Sequence, residues 1–183
     1  MPSNTSQHIL SRRRLLQLAA VAGWSGLALA AGPEAEALAL LKRGGVVLAM
    51  RHALAPGTFD PPGFKLGDCS TQRNLSEQGR AQARALGERL RGTGLKPGRV
   101  RSSPWCRCMD TAELAFGRAE AWPALGSPRA GSEETNAQSL AELRQALGAV
   151  VRQGAGFEVW VTHMFVLSDL LGVNTASGEG LVL

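Results

Sequence analysis

Cysteine and histidine are scarce in this chain of 183 residues, which contains three of each. The three cysteines lack the paired spacing of a structural zinc site. None is followed six positions later by arginine, which excludes the Cys-x5-Arg nucleophile of cysteine-dependent phosphatases. No Gly-x-Ser-x-Gly segment, typical of serine hydrolases, is present either.

The sequence also has no apolar run that is long enough for a stable membrane anchor. The uncharged run from residue 15 to 30 is short of the roughly 20 residues that a spanning helix needs. It follows "SRRR" and ends in Ala-Leu-Ala, the small-x-small pattern that a signal peptidase cleaves. Residues 1–30 are therefore predicted to be an export signal, and "SRRRLL" resembles the twin-arginine signal.

The formal net charge of +5 does not indicate a nucleic-acid partner, because three of the charges belong to Arg12, Arg13 and Arg14. No acidic residue precedes Glu34. We expect a periplasmic or secreted protein whose signal contacts the export machinery. Residues 31–183 are enough for one ordinary domain.

Export permits a disulfide. Cys106 and Cys108 are two apart on a predicted helix and point to different faces, so they pair poorly. Our hypothesis is that Cys69 pairs with Cys106, leaving Cys108 free and buried.

Apolar runs alternate with helical patterns along the rest of the chain, which predicts an α/β fold with a mostly parallel sheet. The predicted strands are 46–50, 99–102 and 157–162, with weaker candidates at 120–125 and 180–183. The predicted helices are 34–42, 76–91, 105–116, 139–152 and one beginning at 164.

Two histidines follow predicted strands directly: His52 after the first, beside Arg51, and His163 after the strand 157–162. Ligands of such sheets bind at the carboxyl ends of the strands, so both histidines are expected in one site. Arg107 lies in the first turn of a predicted helix, where a positive side chain opposes the helix dipole. An anion bound at that helix start would remove the conflict.

The segments "MRHA", "SSPWCRCMDTA" and "VTHM" resemble the histidine phosphatase superfamily in order and spacing, and "NLSEQGRAQARALGERL" is similar to its first helix. The resemblance covers residues 36–183 and implies a phosphoglycerate mutase-like, three-layer α/β/α sandwich. It also implies that His52 is the nucleophile, with Arg51, Arg107 and His163 around the phosphate.

These residue types suit phosphoryl transfer. A neutral His52 can attack phosphorus, and two guanidiniums can bind the phosphoryl oxygens, so we expect no metal and no cofactor. His163, if protonated, would donate a further hydrogen bond. Arg73 is either a substrate contact at the same edge or a surface arginine.

The general acid is less clear from the sequence. In some family members it is an aspartate directly after the second histidine, but here Met164 occupies that position. Other members use a glutamate in the loop after the third strand, and Glu133 and Glu134 lie in about that loop, with Glu133 as our first candidate. Glu179 and Asp68 are outside candidates, and a solvated turn at "SEET" is the alternative to a catalytic role.

The predicted function is an exported, metal-independent phosphatase that hydrolyses small phosphate monoesters through a phosphohistidine. There are two alternatives on the same scaffold. One is a phosphomutase, and the other is a non-catalytic protein that binds phosphorylated sugars or other anions.

Overall fold

A computed structural model describes residues 13–14, 32–127 and 136–183. The strands are β1 (Arg13–Arg14), β2 (Val46–Arg51), β3 (Arg99–Ser102), β4 (Glu120–Ala121), β5 (Phe157–Thr162) and β6 (Gly180–Val182). The helices are α1 (Pro33–Arg43), α2 (Glu77–Gly92), α3 (Cys106–Phe116), α4 (Ala137–Gln153) and α5 (Met164–Leu171). Short 3-10 turns occur at Cys69–Thr71 and Pro123–Leu125.

Strands β2 to β6 form a five-stranded sheet in the order β6-β2-β5-β3-β4, and the two residues of β1 extend its β6 edge. Pairing is parallel from β2 across to β4 and antiparallel at β6 and β1. The mostly parallel sheet is therefore confirmed. The register of β2 and β5 aligns Arg51 with Thr162, so the residues that follow, His52 and His163, leave the sheet at the same edge.

Helices cover both faces of the sheet, which confirms the three-layer α/β/α sandwich. Apolar residues of β2 alternate between the two faces: Leu48 and Met50 pack with α1, α2 and α3, whereas Val47 and Ala49 pack with α4 and α5. Because both faces are covered, β2 is apolar without interruption until the chain reaches the carboxyl edge. Arg51, the last residue of β2, is thus its first polar residue and lies at the site.

Two glycines of α2 hold that helix close to the site. A Cβ atom at Gly79 would lie 2.0 Å from the carbonyl oxygen of Leu54, and one at Gly87 would lie 2.0 Å from that of Ala115 in α3. Any side chain at either position would force the backbones apart. The absence of side chains there lets α2 pack directly against the loop after His52 and against α3.

The predicted strand 120–125 is only partly correct. The strand contains Glu120–Ala121 and then gives way to the 3-10 turn Pro123–Leu125. Pro123 has no N–H group for a strand ladder, which accounts for the early end.

The predicted cysteine pairing is confirmed: Cys69 and Cys106 form a disulfide, with Cα atoms 5.7 Å apart, and Cys108 is free and buried. The bond closes a sequence separation of 37 residues. Loop closure of that length stabilises the folded state by about 4 kcal/mol in the chain-entropy model. It fastens the long loop after β2 to the first residue of α3.

The predicted export signal lies outside the described residues except for Arg13–Arg14. Among the described helices, none combines the length and the apolar character needed to cross a membrane.

Candidate active site

His52 follows β2 and is almost completely buried, with 1% of its surface exposed. Its Nδ1 lies 2.7 Å from the carbonyl oxygen of Ala53. A carbonyl can only accept, so Nδ1 carries the proton and Nε2 keeps its lone pair. Burial lowers the pKa of His52 to about 3, and the charges of Arg107, Arg73 and Arg51 act in the same direction. The ring is therefore neutral and nucleophilic at Nε2 over the ordinary pH range.

Three arginines surround this ring. Arg51, the last residue of β2, donates from Nη1 to the carbonyl oxygen of Thr175 at 2.8 Å. Arg107, in the first turn of α3, is 2% exposed. Arg73 lies in the loop before α2. Burial, and then the charge of Arg107, lower the pKa of Arg51.

The Nε–H groups of Arg51, Arg73 and Arg107 are buried and have no hydrogen-bond partner within the described residues. An unsatisfied buried donor costs about 1–3 kcal/mol. Three such donors on three cations near one histidine are available to an anion with several oxygens.

Arg73 is half-buried, and its charge interacts with those of Arg107 and Arg51. Its Nη1 donates a short hydrogen bond to the carbonyl oxygen of Ala55. Burial lowers the pKa of Arg73 to about 10, with the charge of Arg107 next in importance. Of the two interpretations left open by the sequence, the position favours the substrate contact.

His163 is buried beside Arg107, and the rings of His163 and His52 are 5.5 Å apart. Its Nδ1 lies 3.4 Å from Nη2 of Arg107, which can only donate, so Nδ1 accepts. Nε2 then donates to Oγ of Ser103 at 2.8 Å. The protonated His163 considered from the sequence is not favoured here: burial first, then Arg107 and His52, hold its pKa well below 6.5.

The start of α3 differs from the expected anion site in one respect. The N–H of Cys106 donates to Oε1 of Gln72 at 2.9 Å, so this backbone group is already satisfied. Arg107 contributes through its side chain, which is directed into the histidine pair. The charge of Arg107 is met by one carboxylate, that of Asp60 from the loop after β2.

Sequence reasoning missed Asp60 in the loop after β2. Its Oδ1 accepts from Nη1 of Arg107 at 2.8 Å and from the N–H of Arg73 at 3.0 Å. Its Oδ2 accepts from Nε1 of Trp105 at 3.1 Å. The sequence offered one clue, the segment Asp60-Pro61-Pro62. A residue before proline is restricted to an extended backbone, so Asp60 has a more fixed conformation than the rest of this loop.

The general acid is not located by the described residues. Glu133 and Glu134 lie in the segment 128–135, outside them. Asp68 caps the turn Cys69–Thr71 by accepting from Ser70, and Glu179 accepts from the N–H of Ala176. Both carboxylates are engaged in local loop contacts.

Comparison with known proteins bears on the fold that carries this site. A family model of the histidine phosphatase superfamily (branch 1) matches residues 67–125, which include Arg73 and Arg107. Similar solved structures include the protein histidine phosphatase SixA complexed with tungstate, at 20% identity and a TM-score of 0.53, covering 74% of this chain and 86% of SixA. The fold is that of the histidine phosphatase superfamily.

Two further structures with this histidine phosphatase fold support the assignment. Phosphoglycerate mutase from Bacillus anthracis str. Sterne is 16% identical with a TM-score of 0.55, covering 75% of this chain and 87% of the mutase. The mycobacterial glucosyl-3-phosphoglycerate phosphatase is 18% identical with a TM-score of 0.54, covering 76% and 90% of the two chains. A search of curated proteins finds no match. Identities this low establish the fold and leave the activity open.

The two neutral histidines predict an acid-dependent loss of stability. The folded-state pKa values of His52 and His163 lie below the ordinary value of 6.5, so unfolding takes up two protons at mildly acidic pH. The free energy of unfolding should therefore fall by about 3 kcal/mol between pH 7.5 and pH 5.5 through these two groups.

Urea unfolding at the two pH values measures this change. A His52→Gln/His163→Gln variant lacks both groups, and its free energy of unfolding should fall by about 3 kcal/mol less over the same range. Equal pH dependence of the two proteins would contradict neutral, buried histidines.

Proposed function

We propose that the protein is a phosphatase that hydrolyses phosphate monoesters through a phosphohistidine formed on Nε2 of His52. The observation that carries this proposal is the unprotonated Nε2 of a buried, neutral histidine among three arginines whose Nε–H groups have no partner in the described part of the chain. A nucleophile and an anion-binding cluster in one place are what phosphoryl transfer needs.

In the first step Nε2 of His52 attacks phosphorus, a P–N bond forms and the P–O bond to the alcohol breaks. The positive charge that develops on the ring is stabilised by the hydrogen bond from Nδ1 to the carbonyl oxygen of Ala53. Arg51, Arg73 and Arg107 bind the phosphoryl oxygens, on which the negative charge is spread in the transition state.

In the second step water attacks the phosphohistidine. The P–N bond breaks, inorganic phosphate leaves, and His52 returns to its neutral state. We propose Glu133 as the acid that protonates the leaving alcohol and as the base that activates this water, because its place in the sequence resembles that of the glutamate acid in some histidine phosphatases. A carboxyl group serves as acid near neutral pH only if its surroundings raise its pKa.

The first test uses an aryl phosphate in the presence of a chelator. Wild-type protein should release the phenol, and His52→Ala should lower kcat/KM by about a thousandfold or more, since the nucleophile is lost. Arg107→Ala should lower it by about a hundredfold, the usual size for one transition-state donor.

Arg118→Ala is the matched control, because Arg118 is exposed and donates to the carbonyl oxygens of Pro97 and Gly98, away from the site. It should leave kcat/KM unchanged. Phosphate binding without turnover in wild-type protein would reject the phosphatase and favour the non-catalytic anion-binding protein.

We further propose that the protein is exported and that cleavage after Ala30 gives the mature form. The support is the sequence of residues 1–30, with its arginines, uncharged run and small-x-small end. Cleavage there removes β1, a two-residue edge strand, and leaves the pairs among β2 to β6 intact.

Expression of the full chain in a bacterium with a twin-arginine system tests this proposal. The product should be periplasmic with Ala31 at its N-terminus, and Arg12→Lys/Arg13→Lys should retain it in the cytoplasm. A cytoplasmic wild-type product that still begins at residue 1 or 2 would contradict export. Normal export of the double lysine variant would show the general route instead.

A further inference from the structure

We propose that Asp60 is a positioning residue that holds the Arg107 guanidinium in the anion-binding orientation. The expected changes in KM rest on the proposed function. The contact between the Asp60 carboxylate and the Arg107 guanidinium does not. No part of the resemblance to known phosphatases assigns a role to Asp60.

Arg107 depends on Asp60 for its place. The guanidinium is buried, and Oδ1 of Asp60 at 2.8 Å is the carboxylate oxygen bound to it. The other contacts of Arg107 are longer: Nη1 lies 3.4 Å from the carbonyl oxygen of Arg73, and Nη2 lies 3.4 Å from Nδ1 of His163. The bond to Asp60 is therefore the strongest constraint on where Nε and Nη2 point.

Asp60 is itself fixed from other directions. The N–H of Arg73 donates to Oδ1 and the indole Nε1–H of Trp105 donates to Oδ2. Trp105 is 4% exposed and stacks on Phe64 with ring centroids 5.4 Å apart. The backbone of Asp60 is restricted by Pro61. A rigid carboxylate of this kind can define the direction of a long arginine side chain.

The same contacts argue against Asp60 as the proton donor of the reaction. Both of its oxygens accept hydrogen bonds from N–H groups, one of them from a guanidinium. Both oxygens are therefore held as acceptors by groups of the protein itself. Asp60 therefore acts through Arg107 and has no role at the reacting atoms.

The test compares Asp60→Ala with Asp60→Asn. Alanine removes the acceptor, so both KM for an aryl phosphate and Ki for inorganic phosphate should rise about tenfold, the size seen when a second-layer partner of a ligand-binding side chain is lost. Asparagine keeps an oxygen for Arg107 and the N–H of Arg73, so both constants should stay within about threefold of wild type.

These constants separate positioning from a merely structural role. Partial unfolding lowers Vmax in proportion to the folded fraction and leaves KM and Ki of the folded molecules unchanged. Asp110→Ala is the matched control, because Asp110 lies on the same helix as Arg107 and forms a comparable 2.9 Å ion pair with Arg80 of α2. It should change neither constant.

Coupling to Arg107 is the decisive readout. In an Arg107→Ala background, Asp60→Ala should produce no further rise in Ki, because the group through which it acts is gone. An additive rise would overturn the proposal. A Ki for phosphate that falls in Asp60→Ala or Asp60→Asn would also overturn it, since Asp60 would then be a competitor of the anion.

Failure of this proposal can be told from failure of the phosphatase assignment. Calorimetric titration with inorganic phosphate reports the effect of Asp60 on anion affinity whether or not any substrate is turned over. If wild-type protein binds phosphate without turnover, the phosphatase assignment fails, and weaker binding by Asp60→Ala still supports the positioning role. If turnover is normal and Asp60→Ala binds phosphate as wild type does, only the positioning role fails.

Discussion

The close approach of three guanidinium charges in a buried site is the constraint from which the other properties of this protein follow. Arg51, Arg73 and Arg107 raise the cost of any further positive charge nearby, in addition to the cost of burial. His52 and His163 are consequently neutral. Burial is the larger reason why His52 stays unprotonated, and the repulsion that adds to it also makes an incoming anion favourable.

The fold brings these charges together by two routes. Parallel pairing of β2 with β5 delivers Arg51, His52 and His163 to one edge of the sheet. The loop after β2 and the start of α3 deliver the remaining arginines, and they are joined by the Cys69–Cys106 disulfide as well as by Asp60. A covalent bond between these two segments can thus hold like charges that would otherwise separate.

The sequence was sufficient for the parts of the site that lie directly after strands. The alternation of apolar runs and helices predicted the layers and the mostly parallel sheet, and strand ends predicted the meeting of His52 with His163. The disulfide was predicted from the poor spacing of Cys106 and Cys108. In these cases the pattern of neighbouring residues is enough to determine where the side chains lie in the fold.

Contacts made by irregular segments could not be predicted from the sequence in this way. Nothing in the sequence places Asp60 on Arg107, because the path of a proline-rich loop depends on its packing against Trp105 and not on periodicity. The neutral state of His163 also needed the three-dimensional arrangement, since its pKa reflects burial and a neighbouring guanidinium. Arg73 was left ambiguous for the same reason.

The central claim is that Nε2 of His52 accepts the phosphoryl group. Rapid acid-free quenching during turnover of a 32P-labelled aryl phosphate, followed by proteolysis and peptide mapping, tests it most directly. The account predicts a label that is stable to alkali, labile to acid and carried by the peptide containing His52, attached at Nε2. A label on another residue, or turnover with no phosphorylated protein under conditions that slow the second step, would contradict it.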